Sequence, residues 1–183
     1  MNQSVSLRSR IAQSTGQNAF RCYQCGNCTA GCPMAGKGDL LPHQIFRCLQ
    51  LGDDAPLRSL QPWLCVGCQT CATRCPQELD LSLVMDALRA EALRRGTAPA
   101  SARRVRLFNQ IFLKQVLSSG RLSEVWLGAF YNLGARAPFQ NLGSIPALLQ
   151  RGKIRLDGRK VRLPRLPRAP RGARRRGPEE GRP

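Results

Sequence analysis

Acidic residues, aromatics and histidine are all scarce in this chain. Only 11 of its 183 residues are Asp or Glu, against 29 Lys and Arg, giving a formal charge of +18. A surface so short of acids favours an acidic partner: a protein with a complementary face, a nucleic acid, or a membrane surface. Phe, Trp and Tyr make up 5% of the sequence, so the polypeptide core is expected to be small. His43 is the sole histidine and has no second ligand or nucleophile near it in sequence, so it reads as a helix-surface residue. No apolar run approaches the roughly 18 residues that mark a membrane span, and no secretory signal is evident at the start. Gly36-Lys37-Gly38 lacks the Lys-Ser/Thr ending of a phosphate loop, and there is no dinucleotide fingerprint. Nothing in the sequence looks like a substrate pocket. The expected location is the cytoplasm, where thiols stay reduced.

Cysteine is plentiful and ordered. Eight of the nine fall into two copies of one spacing, Cys22-x2-Cys25-x2-Cys28-x3-Cys32-Pro33 and Cys65-x2-Cys68-x2-Cys71-x3-Cys75-Pro76, offset by 43 residues. This is the run by which bacterial-type proteins hold two [4Fe–4S] clusters. Three cysteines at i, i+3 and i+6 take three corners of one cluster. The fourth is turned away by the chain and, in two-cluster proteins, ligates the other cluster. The expected ligand sets are therefore Cys22, Cys25, Cys28 and Cys75 for one cluster, and Cys65, Cys68, Cys71 and Cys32 for the other. Such a crossing couples folding to cluster binding. Zinc suits two separated pairs better than three cysteines in seven residues. An odd cysteine count argues against a disulfide framework. Pro33 and Pro76 push Cys32 and Cys75 toward extended backbone. Gly26, Gly31 and Gly67 are expected to let backbone approach the inorganic core. Cys48, the ninth cysteine, reads as a small buried side chain on a helix.

The expected fold is all-α. Residues 1–20 form a polar N-terminal arm in which Ser6 to Gln13 is a short helix that docks only in a complex. Residues 21–96 form an α-helical ferredoxin module. Within it, Leu41 to Leu51 is a helix with Pro42 in its first turn and Gly52 past its end. Asp53 to Pro62 is a connection. Leu81 to Arg95 is a helix with Leu83, Val84, Ala87, Leu88 and Leu93 on its apolar side and Gly96 ending it. Residues 97–163 form a helical partner-docking extension: one helix over Ala100 to Ser118, then a pattern over Leu122 to Gly134 with Trp126, Phe130 and Tyr131, and a candidate small β-hairpin over Lys153 to Leu163. Residues 164–183 are an Arg/Pro-rich disordered tail.

The stretch from Cys22 to Pro33, with Trp63-x-Cys65-Val66-Gly67-Cys68-x-Thr70-Cys71-x2-Arg74-Cys75-Pro76, resembles the small iron–sulfur (C-type) subunit of heterodisulfide reductase. The cysteine motifs belong to the wider α-helical ferredoxins; the layout over about residues 20–163 narrows the resemblance to that subunit. It implies two cubane clusters that relay electrons between a flavin-containing (A-type) subunit and a disulfide-reducing, cysteine-rich (B-type) subunit. The chain has no Cys-Cys pair, so the disulfide chemistry and any substrate site are expected on another chain. It is expected to act as the electron-transfer subunit of an oxidoreductase on sulfur groups, with no catalytic residue of its own. The [2Fe–2S] region that precedes this module in succinate dehydrogenase relatives is not expected before Cys22. Two related readings are a component of a similar sulfur-oxidising complex and a free ferredoxin-like carrier. A basic, metal-stapled nucleic-acid binder is the non-redox alternative. It is not expected, because no recognised nucleic-acid motif is present.

Overall fold

The computed structural model describes residues from Ser6 to Ala135, the side chain of Val125 excepted. The hairpin expected over 153–163 and the basic tail from 164 lie outside the described residues. Among the described residues there are helices and turns and no strand. They divide between Ala102 and Arg103 into two compact units.

In the first unit the two cysteine loops are short and irregular, so longer helices must supply the apolar faces that hold them. Helix α1 (Leu7–Thr15) starts at Ser6, whose hydroxyl accepts from the Ser9 N–H, and stops at Gly16 with φ +74°. Its Leu7 and Ile11 are almost fully buried and it packs on α7 (Leu81–Arg95). The expectation that this segment docks only in a complex is corrected: two apolar side chains one turn apart give it a place in the module's own core.

The first loop carries α2 (Asn27–Ala30), and α3 (Pro42–Leu51) follows. Pro42 sits in the first turn of α3, where its missing N–H costs nothing, and Gly52 ends the helix at φ +74°. Gln44 turns back to accept from the Leu41 N–H at 2.8 Å. The segment read as a connection contains two short helices, α4 (Ala55–Arg58) and α5 (Gln61–Leu64). Each has its proline, Pro56 or Pro62, in the first turn, which is a helix-starting position as readily as a breaking one. The second loop carries α6 (Thr70–Thr73).

Helix α7 is capped by Asp80, whose Oδ1 accepts from the N–H groups of Ser82 and Leu83, and ends at Gly96. It buries Leu81, Val84, Met85, Leu88 and Ala92, whereas Leu93 is about half exposed. The buried stripe thus runs one step round the helix from the expected one. Leu81 and Ala92 complete an 81, 84/85, 88, 92 ladder that the loops and α1 require. Leu88, Val84, Ile45 and Leu49 lie at the centre with Leu57, Trp63 and Leu79 around them.

Gly38 marks a close approach within this unit. A Cβ there would lie 2.6 Å from Gln61 Oε1 and 3.3 Å from the Gln61 backbone. Gln61 is buried, so its side chain and backbone would have to shift within the core. Gly38→Ala is expected to lose roughly 1–3 kcal/mol, read as a lower denaturant midpoint with an unchanged slope.

The second unit contains α8 (Arg103–Ser119) and α9 (Glu124–Gly134), which pack on each other. A 3₁₀ turn at Ala100–Ala102 precedes α8, in place of the one continuous helix expected from Ala100. The Phe108 ring meets the edge of Tyr131 at 6.0 Å, and Leu107 lies close against Gly134. No side chain of α8 is fully buried. Phe112, Leu117, Trp126, Phe130 and Leu133 remain exposed.

Candidate cluster-binding site

The two cysteine loops are built on the same backbone hydrogen bonds at the 43-residue offset. Thr29 N–H donates to Gly26 O at 2.9 Å and Ala72 N–H to Gln69 O at 3.0 Å; Cys32 N–H donates to Thr29 O, and Cys75 N–H to Ala72 O, both at 3.2 Å. Left-handed backbone recurs in register. Gln24 has φ +64° where Gly67 has +66°, and Gly26 has +80° where Gln69 has +63°. Each loop therefore turns through two αL positions and fills only one of them with glycine. The glutamine at the other holds a conformation uncommon for residues with a Cβ, costing on the order of 1–2 kcal/mol each. Gln24 offsets part of this by donating through Nε2 to Cys22 Sγ at 3.3 Å.

Gly31 is small for a different reason from the one expected. It has ordinary right-handed backbone, and a Cβ there would sit 3.0 Å from both Thr70 Cγ2 and Arg74 Nη1. The close meeting of α2 and α6, not an inorganic core, excludes a side chain at this position.

Long side chains from the following helices pin each loop at its first cysteine. Gln50 on α3 donates through Nε2 to the carbonyls of Cys22, at 2.7 Å, and Ala19, at 2.9 Å. Arg89 on α7 donates to the Cys65 carbonyl at 3.4 Å and pairs with Asp86.

Two cavities result. One, with about 350 Å³ of space including its open mouth, is lined by Cys22, Cys25, Cys28 and Cys75, together with Cys71. The other, about 410 Å³, is lined by Cys32, Cys65, Cys68 and Cys71, together with Cys28. Cys28 and Cys71 thus lie between the two. Apolar side chains close the backs: Phe46, Leu79 and Leu81 around the first, Met34, Leu81 and Met85 around the second. Cys25 and Cys68 are the exposed members, each beside an exposed apolar residue, Tyr23 or Val66. Cys48 is half-buried on α3 and lines neither cavity.

Four thiolates on one zinc ion, at about 2.3 Å each, stand only about 3.8 Å from one another. Among the described residues no three Cys, His, Asp or Glu side chains converge in that way. The thiols ring volumes rather than points, which fits a four-metal group in each cavity. Burial pushes the Cys71 thiol up to about 11 and also raises Cys22, Cys28 and Cys65. Exposed Cys68 is drawn down by the Thr70 hydroxyl. Thiols raised in this way stay protonated at neutral pH until a metal cation takes the thiolate, so loading would release protons to solvent.

The helix-surface position expected for His43 is corrected. The residue is half-buried and lines the Cys22 cavity. Its Nδ1 lies 2.8 Å from Thr29 Oγ1, and its backbone N–H donates to the same oxygen at 3.1 Å. The sequence carried one clue to Thr29: it stands where the second loop has Ala72.

Residues 21–79 match a family described as a 4Fe–4S dicluster domain. Over 104 residues the chain is 30% identical to a CoB–CoM heterodisulfide reductase iron–sulfur subunit (the C 2 form) of Methanocaldococcus jannaschii, covering 57% of this chain and 56% of that one. It is 36% identical over 88 residues to the corresponding C-type iron–sulfur subunit of the Methanopyrus kandleri CoB–CoM heterodisulfide reductase, covering 48% and 46%. It is 38% identical over 87 residues to the C-type subunit of the ferredoxin:CoB–CoM heterodisulfide reductase of Methanosarcina acetivorans, covering 48% and 34%. The chain thus spans about half the length, or less, of these curated relatives. With two matched cysteine loops on a helical scaffold, residues 21–79 are similar to a 4Fe–4S dicluster domain, within a chain similar to the C-type iron–sulfur subunits of heterodisulfide reductases.

Proposed function

We propose that this chain holds two [4Fe–4S] clusters and relays single electrons within a heterodisulfide-reductase-like complex in the cytoplasm. The observation that carries the reading is the pair of adjoining cavities, each lined by three cysteines of one loop and the last cysteine of the other, with Cys28 and Cys71 lining both. Cys22, Cys25, Cys28 and Cys75 hold one cluster; Cys65, Cys68, Cys71 and Cys32 hold the other. When bound, such clusters supply reversible one-electron carriers whose potentials follow burial, charge and hydrogen bonds to sulfur. The chain's residues do the rest. The thiolates anchor, Phe46, Leu79, Leu81 and Met85 keep water from the inner sides, and Cys28 and Cys71 fill the space between the two sites.

The partners in this reading are a flavoprotein and a cysteine-rich protein that carries the disulfide chemistry. The exposed aromatics of α8 and α9 belong to the segment, 97–163, that docks them, since large exposed apolar groups tend to mark contacts. Among the described residues no helix is long and apolar enough to cross a membrane. The complex in this reading acts on sulfur groups, a disulfide or thiols.

The test is anaerobic purification of the tagged chain from its own cells. Iron and acid-labile sulfide in equal amounts, with a cubane signal on reduction, are expected. A flavoprotein and a cysteine-rich protein are expected to co-purify. A preparation holding zinc refutes the cluster assignment; a loaded chain that runs alone as a monomer refutes the complex and leaves a free carrier.

A further inference from the structure

The internal repeat sets Phe20 opposite Trp63, each two residues before the first cysteine of its loop. Trp63 is 5% exposed and packs in the core, whereas Phe20 is 60% exposed. An aromatic left in water adds little to a core, yet this one is held in place. Asn18 Oδ1 accepts from the Phe20 N–H at 3.0 Å, and the Arg8 guanidinium of α1 lies 4.5 Å from the ring centre. The backbone on either side is tied to α3, where Gln50 Nε2 donates to the Ala19 and Cys22 carbonyls. Gln50 Oε1 in turn accepts from Arg47 Nη1 at 3.4 Å. Phe20 and the equally exposed Tyr23 therefore stand on a fixed turn that leads into exposed Cys25.

The charge around this turn has one sign. No Asp or Glu precedes Asp39 in the chain. Arg8 is half-buried, Arg21 and Arg47 are exposed, and among the described residues none of the three is ion-paired with an acid. In the second loop Arg89 holds the Cys65 carbonyl as Gln50 holds that of Cys22, but Arg89 is paired with Asp86. The exposed side chain there is Val66, in the place of Tyr23. One rim is thus aromatic and basic; the other is aliphatic, with its cation neutralised.

We propose that the Phe20–Tyr23 turn is the docking surface for a redox protein that carries acidic side chains around its own centre, and that electrons cross at Cys25. The inference rests on the cluster reading of the Cys22 cavity and adds the point of exchange and the charge of the partner. Aromatics and arginines carry most of the binding energy at protein contacts, and a ring already held loses little freedom on docking. Unpaired cations around it steer an acidic face and set its orientation. A nucleic acid would meet the same charge but would gain nothing from an exposed ligand cysteine at the edge of the patch. The transfer is of one electron: the partner's reduced centre is oxidised and the centre behind Cys25 is reduced, or the reverse, and no bond forms or breaks.

The experiment mixes the loaded full chain with reduced flavodoxin, an acidic one-electron flavoprotein, and follows the flavin semiquinone by stopped flow. The second-order rate is expected to fall as salt is raised. Arg8→Gln/Arg21→Gln should lower it on the order of tenfold at low salt and flatten the salt dependence. Phe20→Ala should lower it at every salt concentration. Lys37→Gln/Arg58→Gln, which removes the same charge from other exposed positions, should leave it within about twofold. Reduction by photoreduced deazaflavin, a small reductant that needs no docking surface, should be the same in every variant. Equal flavodoxin rates in the natural chain and Arg8→Gln/Arg21→Gln, or an equal loss in Lys37→Gln/Arg58→Gln, overturn the inference alone. Duplex DNA that binds the natural chain more tightly than flavodoxin does, and loses that advantage in Arg8→Gln/Arg21→Gln, assigns the patch to nucleic acid and overturns it too. A chain that takes up no iron and sulfide overturns the cluster reading beneath it.

Discussion

Removing Cys22 and Cys75 together should cost no more iron than removing either one. Each single change to alanine is expected to leave about half the iron of the natural chain, and the Cys22→Ala/Cys75→Ala double to leave the same half. The Cys65→Ala/Cys75→Ala double should leave almost none. The reason is the pattern of the two cavities. Cys75 lies on the second loop but lines the cavity of Cys22, Cys25 and Cys28, as Cys32 lines that of Cys65, Cys68 and Cys71. Losses at one site do not add, whereas losses at two independent sites do. Had each loop kept its own fourth cysteine, the outcomes would be exchanged: Cys65/Cys75 would keep half the iron and Cys22/Cys75 would lose all of it. Metal analysis of anaerobically isolated protein is sufficient to decide. The emptied double should also lose cooperative unfolding, because the loops are then tied only by a small core.

Glu91→Gln should destabilise the loaded protein by about 2 kcal/mol at pH 7, the screened value of a carboxylate held by arginines. Glu91 is 9% exposed on α7. Its carboxylate accepts from Arg94 Nε at 2.8 Å and Nη2 at 2.6 Å and from Arg95 Nε at 2.6 Å, and it lies 3.7 Å from Arg10 Nε on α1. Arg95 continues to Asp54 at 3.0 Å, just before α4. One buried carboxylate therefore gathers three helical segments, and neutralising it leaves cations facing each other. The Arg94 hydrogen bond first, then Arg95, hold the carboxyl down at about 2. An unfolded glutamate titrates near 4.3, so the difference corresponds to about 3 kcal/mol; water around the arginine heads screens this to about 2. The folded value lies below the unfolded one, so this stability is fully present above about pH 4.3 and disappears as pH falls toward 2. Acid also strips thiolate-bound metal. The informative quantity is therefore the gap between the natural chain and Glu91→Gln in denaturant unfolding, which should close over that window. A gap that is absent at pH 7, or unchanged at about pH 3, would remove Glu91 from this role.

Much of the fold was legible because it rests on local rules. Pro42 and Gly52 bracket α3, and Asp80 and Gly96 bracket α7, through backbone preferences that act within a few residues. The failures came where long-range packing overrode local pattern. Leu93 fits the apolar side of an isolated helix, but α1 and the loops meet α7 on the side of Leu81, Met85 and Ala92. Pro56 and Pro62 looked like a linker, since a proline that breaks one helix and a proline that starts another look the same until the neighbours are known. Ser6 to Gln13 seemed too polar to dock alone, yet two buried side chains, Leu7 and Ile11, suffice when α7 offers a complementary face.

The doubled spacing by itself laid out eight cysteines as two equal sets, because ligand number and the reach of a short loop are local constraints. Tertiary structure decided what surrounds each set: which apolar side chains close each cavity, that Gly31 serves a helix contact, and that His43 and Thr29 stand together beside Cys28 although 14 residues separate them in the chain. The division has a simple cause. Thiolate ligation is strong and short-ranged, so its signature is written in consecutive residues. The weaker hydrogen bonds and contacts that distinguish one site from the other come from residues brought close only when the chain folds.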